Sequence, residues 1–193
     1  MYYIRYMKPL LLITCLLALL NPYAVFSQPA HQWTTTISGI NNAGTNDIAT
    51  DGMGNVFATG YFLGTATAGL PDTSVTLTSV EDKDIFLAKF SPSGDLLWAH
   101  DFGGNFDDEG FAVTTDNEGN VYMTGIIEDD ADFDPSPETA FLLSAGLQDV
   151  IVTKYDPDGN FIWGFAFGDF LTDEGKDIAY DQEGFLYLTG GFR

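Results

Sequence analysis

Carboxylates dominate the residues that could do chemistry in this chain. The densest run holds Glu128, Asp129, Asp130, Asp132, Asp134 and Glu138, in which Asp130, Asp132 and Asp134 alternate as the oxygen ligands of a calcium loop can. Calcium takes about six to eight oxygens. The remainder of that pattern departs from such a loop, because Pro135 stands where a glycine makes the sharp turn and Phe141 where a bidentate glutamate closes the shell. Asp130, Asp132 and Asp134 are therefore candidate ligands of an incomplete site, and calcium is the one candidate cofactor. A second set, Asp156, Asp158 and Asn160 in "DPDGN", reads better as a turn, since its counterpart "SPSGD" has lost two of the carboxylates.

Adjacent carboxylates can also serve as acid and base, and Asp108-Glu109 and Asp173-Glu174 have the look of a glycosidase pair. They occur twice, however, at the same place in a repeating pattern. A reaction centre is normally unique, so residues that recur with the repeat are read as strand caps or as partners of a neighbour's backbone. The same argument makes Lys89 and Lys154 structural cations, each paired with a carboxylate of its own or the next unit. His31 and His100, the only histidines, occupy non-equivalent positions and leave no three-ligand zinc cluster. No "GxSxG" context and no glycine-rich loop leading into a helix occurs, so the chain reads as non-catalytic.

What positions these groups is a tandem repeat. "DGMGNVFATG" from Asp51, "DNEGNVYMTG" from Asp116 and "DQEGFLYLTG" from Asp181 are evenly spaced, at an interval of 65 in the numbering, and end on Gly60, Gly125 and Gly190. Trp33, Trp98 and Trp163, all the tryptophans present, keep the same interval. Asp84 and Asp149, Lys89 and Lys154, Gly94 and Gly159, and Phe102-Gly103 and Phe167-Gly168 superpose as well, with no gap. One departure is Ala43-Gly44, which stand where the later copies have Asp-Glu.

Within one period four strands are predicted, over 111–115, 120–127, 150–155 and 161–167, with a short extra strand near 141–144. "DNEG" and "DPDGN" supply the tight turns between them: Pro presets φ, Gly accepts positive φ, and Asp bonds its own backbone. No segment after the amino end has a sustained helical period, so the class is all-β. Fixing a residue costs about 1–2 kcal/mol and burying a large apolar side chain returns about 1.5–3, so a single sheet of this size cannot hide both its faces alone. Successive copies must cover it. Radial stacking of four-stranded antiparallel sheets gives β-propeller blades, with Phe57, Tyr122, Tyr187 and the tryptophans as the layer between them.

Two full copies and a few strands fall short of the ~4–8 blades of a ring, so the expectation is an incomplete open arc of about two and a half blades, the amino-terminal piece of a longer protein. The predicted organisation is a leader over 1–27, a closing outer strand of a preceding blade over 28–45, blades over 46–110 and 111–175, and a half blade over 176–193. The other blades of the same longer chain are the first expected partner.

The amino end carries Arg5 and Lys8, then an apolar run from Pro9 to Leu20, then a breaker and Ser27. That is the pattern of a secretory signal peptide, too short for the ~18–20 residues of a bilayer span, with cleavage expected after Ser27. Cys15 lies inside the run, so the mature chain would have no disulfide, thiolate metal site or cysteine nucleophile. All 28 acidic residues follow Ser27 against five basic ones, a formal charge of −23. Such a surface repels nucleic acid and anionic membranes, and the expected location is outside the cell or on its surface, with no membrane span in the mature chain.

The string "GNVYMTG … DVIVTKYDPDGNFIWGFAFG … DEG" resembles the bacterial seven-bladed propeller repeats called SBBP, over nearly all of the chain after Ser27. The resemblance implies an exported, often surface-associated repeat protein. The function expected is a scaffold or binding module whose loops, above all 128–139, meet a protein, a glycan or a cation. The alternative is the propeller portion of an extracellular enzyme acting on polysaccharide, with its catalytic residues beyond Arg193.

Overall fold

The computed structural model describes residues 33–192 with the exception of Gln182. The leader, its cleavage site, Cys15, His31 and Arg193 lie outside the described residues. The chain divides between Trp33 and Thr34, and the unit Thr34–Arg193 carries the architecture. Trp33 precedes the first strand.

Every regular element among the described residues is a strand, and all strand ladders are antiparallel. The first sheet is a meander of β2 (Asn42–Thr50), β3 (Val56–Ala68), β4 (Val75–Phe90) and β5 (Leu96–Phe102). A short β1 (Ile37–Gly39) pairs with the far end of β3 in the register that β2 keeps with it, so β1 and β2 line one edge. The second sheet repeats the meander with β6 (Glu109–Thr115), β7 (Val121–Ile127), β10 (Asp149–Tyr155) and β11 (Phe161–Phe167). A hairpin of β8 (Asp130–Asp132) and β9 (Phe141–Leu143) stands beyond it. The third unit has only β12 (Glu174–Tyr180) and β13 (Leu186–Gly191). No sheet closes on itself, which is the arrangement of incomplete propeller blades.

The repeat interval reappears in the irregularities of the sheets. A bulge interrupts the first ladder of each unit between Thr45 and Asp47, between Gly110 and Ala112, and between Gly175 and Asp177. It explains the glycine that ends each repeated phrase. A Cβ on Gly60, Gly125 or Gly190 would collide with the carbonyl oxygen of Gly44, Glu109 or Glu174, which the bulge pushes toward it. The hairpin turns repeat too: Gly54, Gly119 and Gly184 have φ of 83°, 83° and 98°, a conformation nearly free of cost only for glycine.

The segment 128–146, expected to be a long connection with one short strand, is a hairpin extension. The pairs Asp130↔Leu143 and Asp132↔Phe141 are the counterparts of Thr65↔Thr78 and Thr67↔Thr76, which β3 and β4 make beyond a register shift after Leu63.

The core lies between the sheets. Phe57, Ile85 and Leu87 of the first sheet are fully buried in one cluster with Val113, Val121, Met123, Ile151 and Tyr155 of the second, and Phe133 joins it stacked on Phe102. Ala112, Tyr122 and Val152 on the other face of the second sheet pack on Ile178 of the third unit. Each large apolar side chain removed from water contributes about 1.5–3 kcal/mol, and the next copy provides the cover. The two tryptophans inside the repeats sit alike: Trp98 lies 6.0 Å from Phe57 and 5.0 Å from His100, and Trp163 lies 5.9 Å from Tyr122 and 5.3 Å from Phe165, their repeat counterparts.

Candidate functional site

The repeated carboxylates hold backbone. Asp51, Asp116 and Asp181 each accept the N–H groups of the residues two and four ahead through Oδ1, at 2.9–3.0 Å, which closes the turn between the first two strands of a unit. Their Oδ2 atoms take side-chain donors: Asn55 on Asp51, Asn120 and the Tyr122 hydroxyl on Asp116, and the Tyr187 hydroxyl on Asp181. Asp116 also pairs with Lys154 at 3.4 Å. Burial by itself would raise the Asp116 carboxyl, but the bonds from Asn120, Tyr122 and Lys154 together hold it below the usual carboxylate range. Lys89 differs from Lys154, for its ammonium donates to the Pro157 carbonyl of the second unit at 2.8 Å, and Trp98 Nε1 donates to the same oxygen at 3.1 Å. One carbonyl thus ties two side chains of the first sheet to the turn of the second.

Asp108 and Asp173 stand where the chain passes from one unit to the next. Asp108 accepts the N–H groups of Gly104 and Glu128, at 2.8 and 2.9 Å, and Asp173 accepts that of Asp169 at 2.9 Å. Glu109 faces Asn46, which donates to it at 2.8 Å. Asp84 and Asp149 are buried beside them. Burial, with other carboxylates nearby, pushes Asp84 and Asp108 up to about 7.

In the stretch singled out for calcium, Asp130 and Asp132 fall on β8 and Asp134 on the loop that follows. Asp132 Oδ1 accepts the N–H groups of Asp134 and Ala140, and Asp134 Oδ1 that of Ser136, so two of the three carboxylates pin the hairpin loop. Among the described residues no three acidic, histidine or cysteine side chains converge as a metal group.

One concave feature among the described residues lies where β5 meets two loops of the second unit, lined mostly by residues that differ from their repeat counterparts. A cavity of about 310 Å³ is lined by His100, Asp134, Pro135, Ser136, Asp158, Gly159, Asn160 and Phe161. Gly159, at φ 87°, is the one lining residue kept by its repeat counterpart, Gly94. His100 corresponds to Phe165, Asp134 to Gly69, Ser136 to Pro71, and Asp158 to Ser93. His100 is stacked on Trp98 with an interplanar angle of 19°, and its Nε2 is buried against the Gly159 backbone. Burial holds its pKa below the usual histidine value, so the ring is neutral at pH 7. The cavity is therefore lined by two carboxylates, with the rings of His100 and Phe161 as its walls. The sequence draws attention to His100, Asp134 and Asp158 separately; their loss of repeat identity is the signal that could have joined them.

No protein-family model matches the chain. A stretch of 111 residues, half of the chain, is 30% identical to an uncharacterized WD repeat-containing protein of Acanthamoeba polyphaga mimivirus, and covers 8% of that protein. A stretch of 109 residues, 56% of the chain, is 26% identical to the regulatory protein FlaEY of Caulobacter vibrioides, and covers 11% of it. The chain thus spans only a small part of the length of these curated relatives. Together with sheets that recur with the repeat, the similarity is compatible with a repeat protein of propeller type.

Proposed function

We propose that the chain is a non-catalytic, exported repeat module that binds a basic partner protein, taking a lysine or arginine side chain into the cavity between β5 and the loops 134–136 and 158–161. One observation carries this reading: the cavity is lined at positions that have lost their repeat identity, and they carry two carboxylates beside the flat rings of a neutral histidine and Phe161. Acceptors that converge beside an aromatic wall suit an alkyl-ammonium or guanidinium group, whose stem packs while its head is bonded. A formal charge of −21 over the whole chain speeds the approach of such a partner. The leader pattern supports export, and similarity to a WD repeat-containing protein supports a scaffold role. Further copies of the same repeat remain the expected neighbours of the open faces.

The test is a binding titration with a short lysine- and arginine-containing peptide and with neutral oligosaccharides. Asp134→Asn with Asp158→Asn should weaken the peptide at least about tenfold, the equivalent of about 1.4 kcal/mol. Asp72→Asn with Glu81→Gln, exposed acids elsewhere, removes the same charge and should leave affinity nearly unchanged. Equal losses in the two variants would reduce the effect to net charge, and binding of sugars alone would replace the ligand class.

A further inference from the structure

The junction between the first two units buries a carboxyl group among its own kind. Asp84, on β4, is 2% exposed. β3 sets Phe62 opposite it, β5 contributes Asp101, and Asp108 comes from the segment that enters β6. The charged groups that act on Asp84 are thus Asp108 and Asp101, both carboxylates. Lys83, its neighbour in the chain, pairs instead with Asp107 at 3.2 Å. Around Asp108 stand two further carboxylates, Glu128 and Asp107.

A charge out of water is costly unless it is paired and fully bonded, and the two buried acids differ in that respect. Both oxygens of Asp108 accept backbone N–H groups, Oδ1 from Glu128 and Oδ2 from Gly104. Asp84 Oδ2 accepts the Val80 N–H at 3.2 Å, but Oδ1 is buried with no hydrogen-bond partner. The carboxyl packs tight against Gly103, where a Cβ would stand 2.5 Å from that Oδ1, so no room is left for a counter-ion. A proton is the neutralising species that needs no space, and Oδ1 of Asp84 is the oxygen left to take it. The place matters to the array, because the Asp108 N–H donates to the Lys83 carbonyl at 2.7 Å and ties the second unit to the first beside Asp84.

We infer that Asp84 is a proton-operated fastening between the first two units: it is neutral while they are packed, and giving up the proton loosens the contact between β4 and the entry to β6, so that the chain is held most firmly in mildly acidic surroundings. Burial, then the charges of Asp108 and Asp101, push this carboxyl from the ordinary 3.8 up to about 7, against the bond from the Val80 N–H. The folded chain therefore binds the proton more tightly than the unfolded one. Its stabilisation is complete below about pH 4 and is lost as pH rises from there to about 7. In the second junction Ala166 stands where the first has Asp101, and Gln148 where it has Lys83, so the geometry points to the first alone.

The test compares denaturant unfolding of the unaltered chain and of Asp84→Asn, whose side chain has nearly the shape of the protonated acid and cannot ionise. Between about pH 5 and about pH 7.5 the folding equilibrium of the variant should rise at least about tenfold relative to that of the unaltered chain. Taking the ratio cancels His100, which burial holds neutral and which acts in the opposite sense. Asp72→Asn, which removes an exposed acid, should show no such rise. The side-chain carboxyl carbon of Asp84, followed by NMR in the folded chain, should titrate near 7. A ratio that does not change with pH overturns the inference, as does an equal rise in Asp72→Asn. So does an Asp84 signal that titrates at the ordinary value of about 4, a measurement on the unaltered chain that decides even if Asp84→Asn fails to fold.

Discussion

β7 and β13 have nearly the same wording and opposite surroundings. "NVYMTG" and "FLYLTG" begin the same hairpin exit, follow the same aspartate turn and end on the same glycine, yet every residue of β7 is buried, while those of β13 are partly or fully exposed. Tyr122 is 5% exposed and its counterpart Tyr187 is 57% exposed, although each hydroxyl donates to its own turn aspartate. The local structure of the repeat is therefore independent of its neighbours, and its burial is not. Ile48, Val113 and Ile178 teach the same at the other end: 63%, 4% and 5% exposed, the first belonging to the copy with no preceding sheet among the described residues.

The largest expected contrast is between two tyrosines. Tyr122→Ala should cost about 3–5 kcal/mol in chemical denaturation, because it opens a cavity in the layer shared with Ile178 and Trp163. Tyr187→Ala should cost less than about 1 kcal/mol. A comparable loss at Tyr187 would mean that another surface covers β13 in solution. Hydrogen exchange should follow, with β7 amides protected to the level of global unfolding and β13 amides opening well below it.

A smaller effect concerns pH. Asp116 is held below its ordinary value, so its contribution is complete above about pH 4 and is lost as pH falls through its lower folded value. Asp116→Asn should flatten the stability profile below about pH 4, measured by denaturant midpoint. Asp181 is lowered too, chiefly by the Phe185 N–H, but it is exposed and no lysine pairs with it among the described residues, so Asp181→Asn should flatten the profile far less. The smallest change is expected at Ile48→Ser, within about 0.5 kcal/mol of neutral, against a clear loss at Val113→Ser. A large penalty at Ile48 would show that its face is occupied.

Much of the fold was legible from spacing. The four strands of the second unit came within about two residues of their observed ends, because alternating apolar residues and Asp-Gly turns act over short range. The β8–β9 hairpin was half missed, since β8 is a run of acids with low strand propensity that pairs only because β9 lies opposite. The cavity was legible only as three separate departures from the repeat, at His100, Asp134 and Asp158. His100 and Asp158 are far apart in the chain and Asp134 lies between them, and only the stacking of one unit on another brings them to one wall.

Period, class and turn chemistry were determined by the sequence itself, because each depends on a residue and its near neighbours: a glycine facing a bulged carbonyl, an aspartate bonding the backbone two and four residues ahead. Tertiary structure alone decided which copy of an identical residue is buried, which carboxylate is surrounded by its own kind and which polar groups share a cavity. Desolvation and charge act through space, and a repeat repeats its chain but not its surroundings.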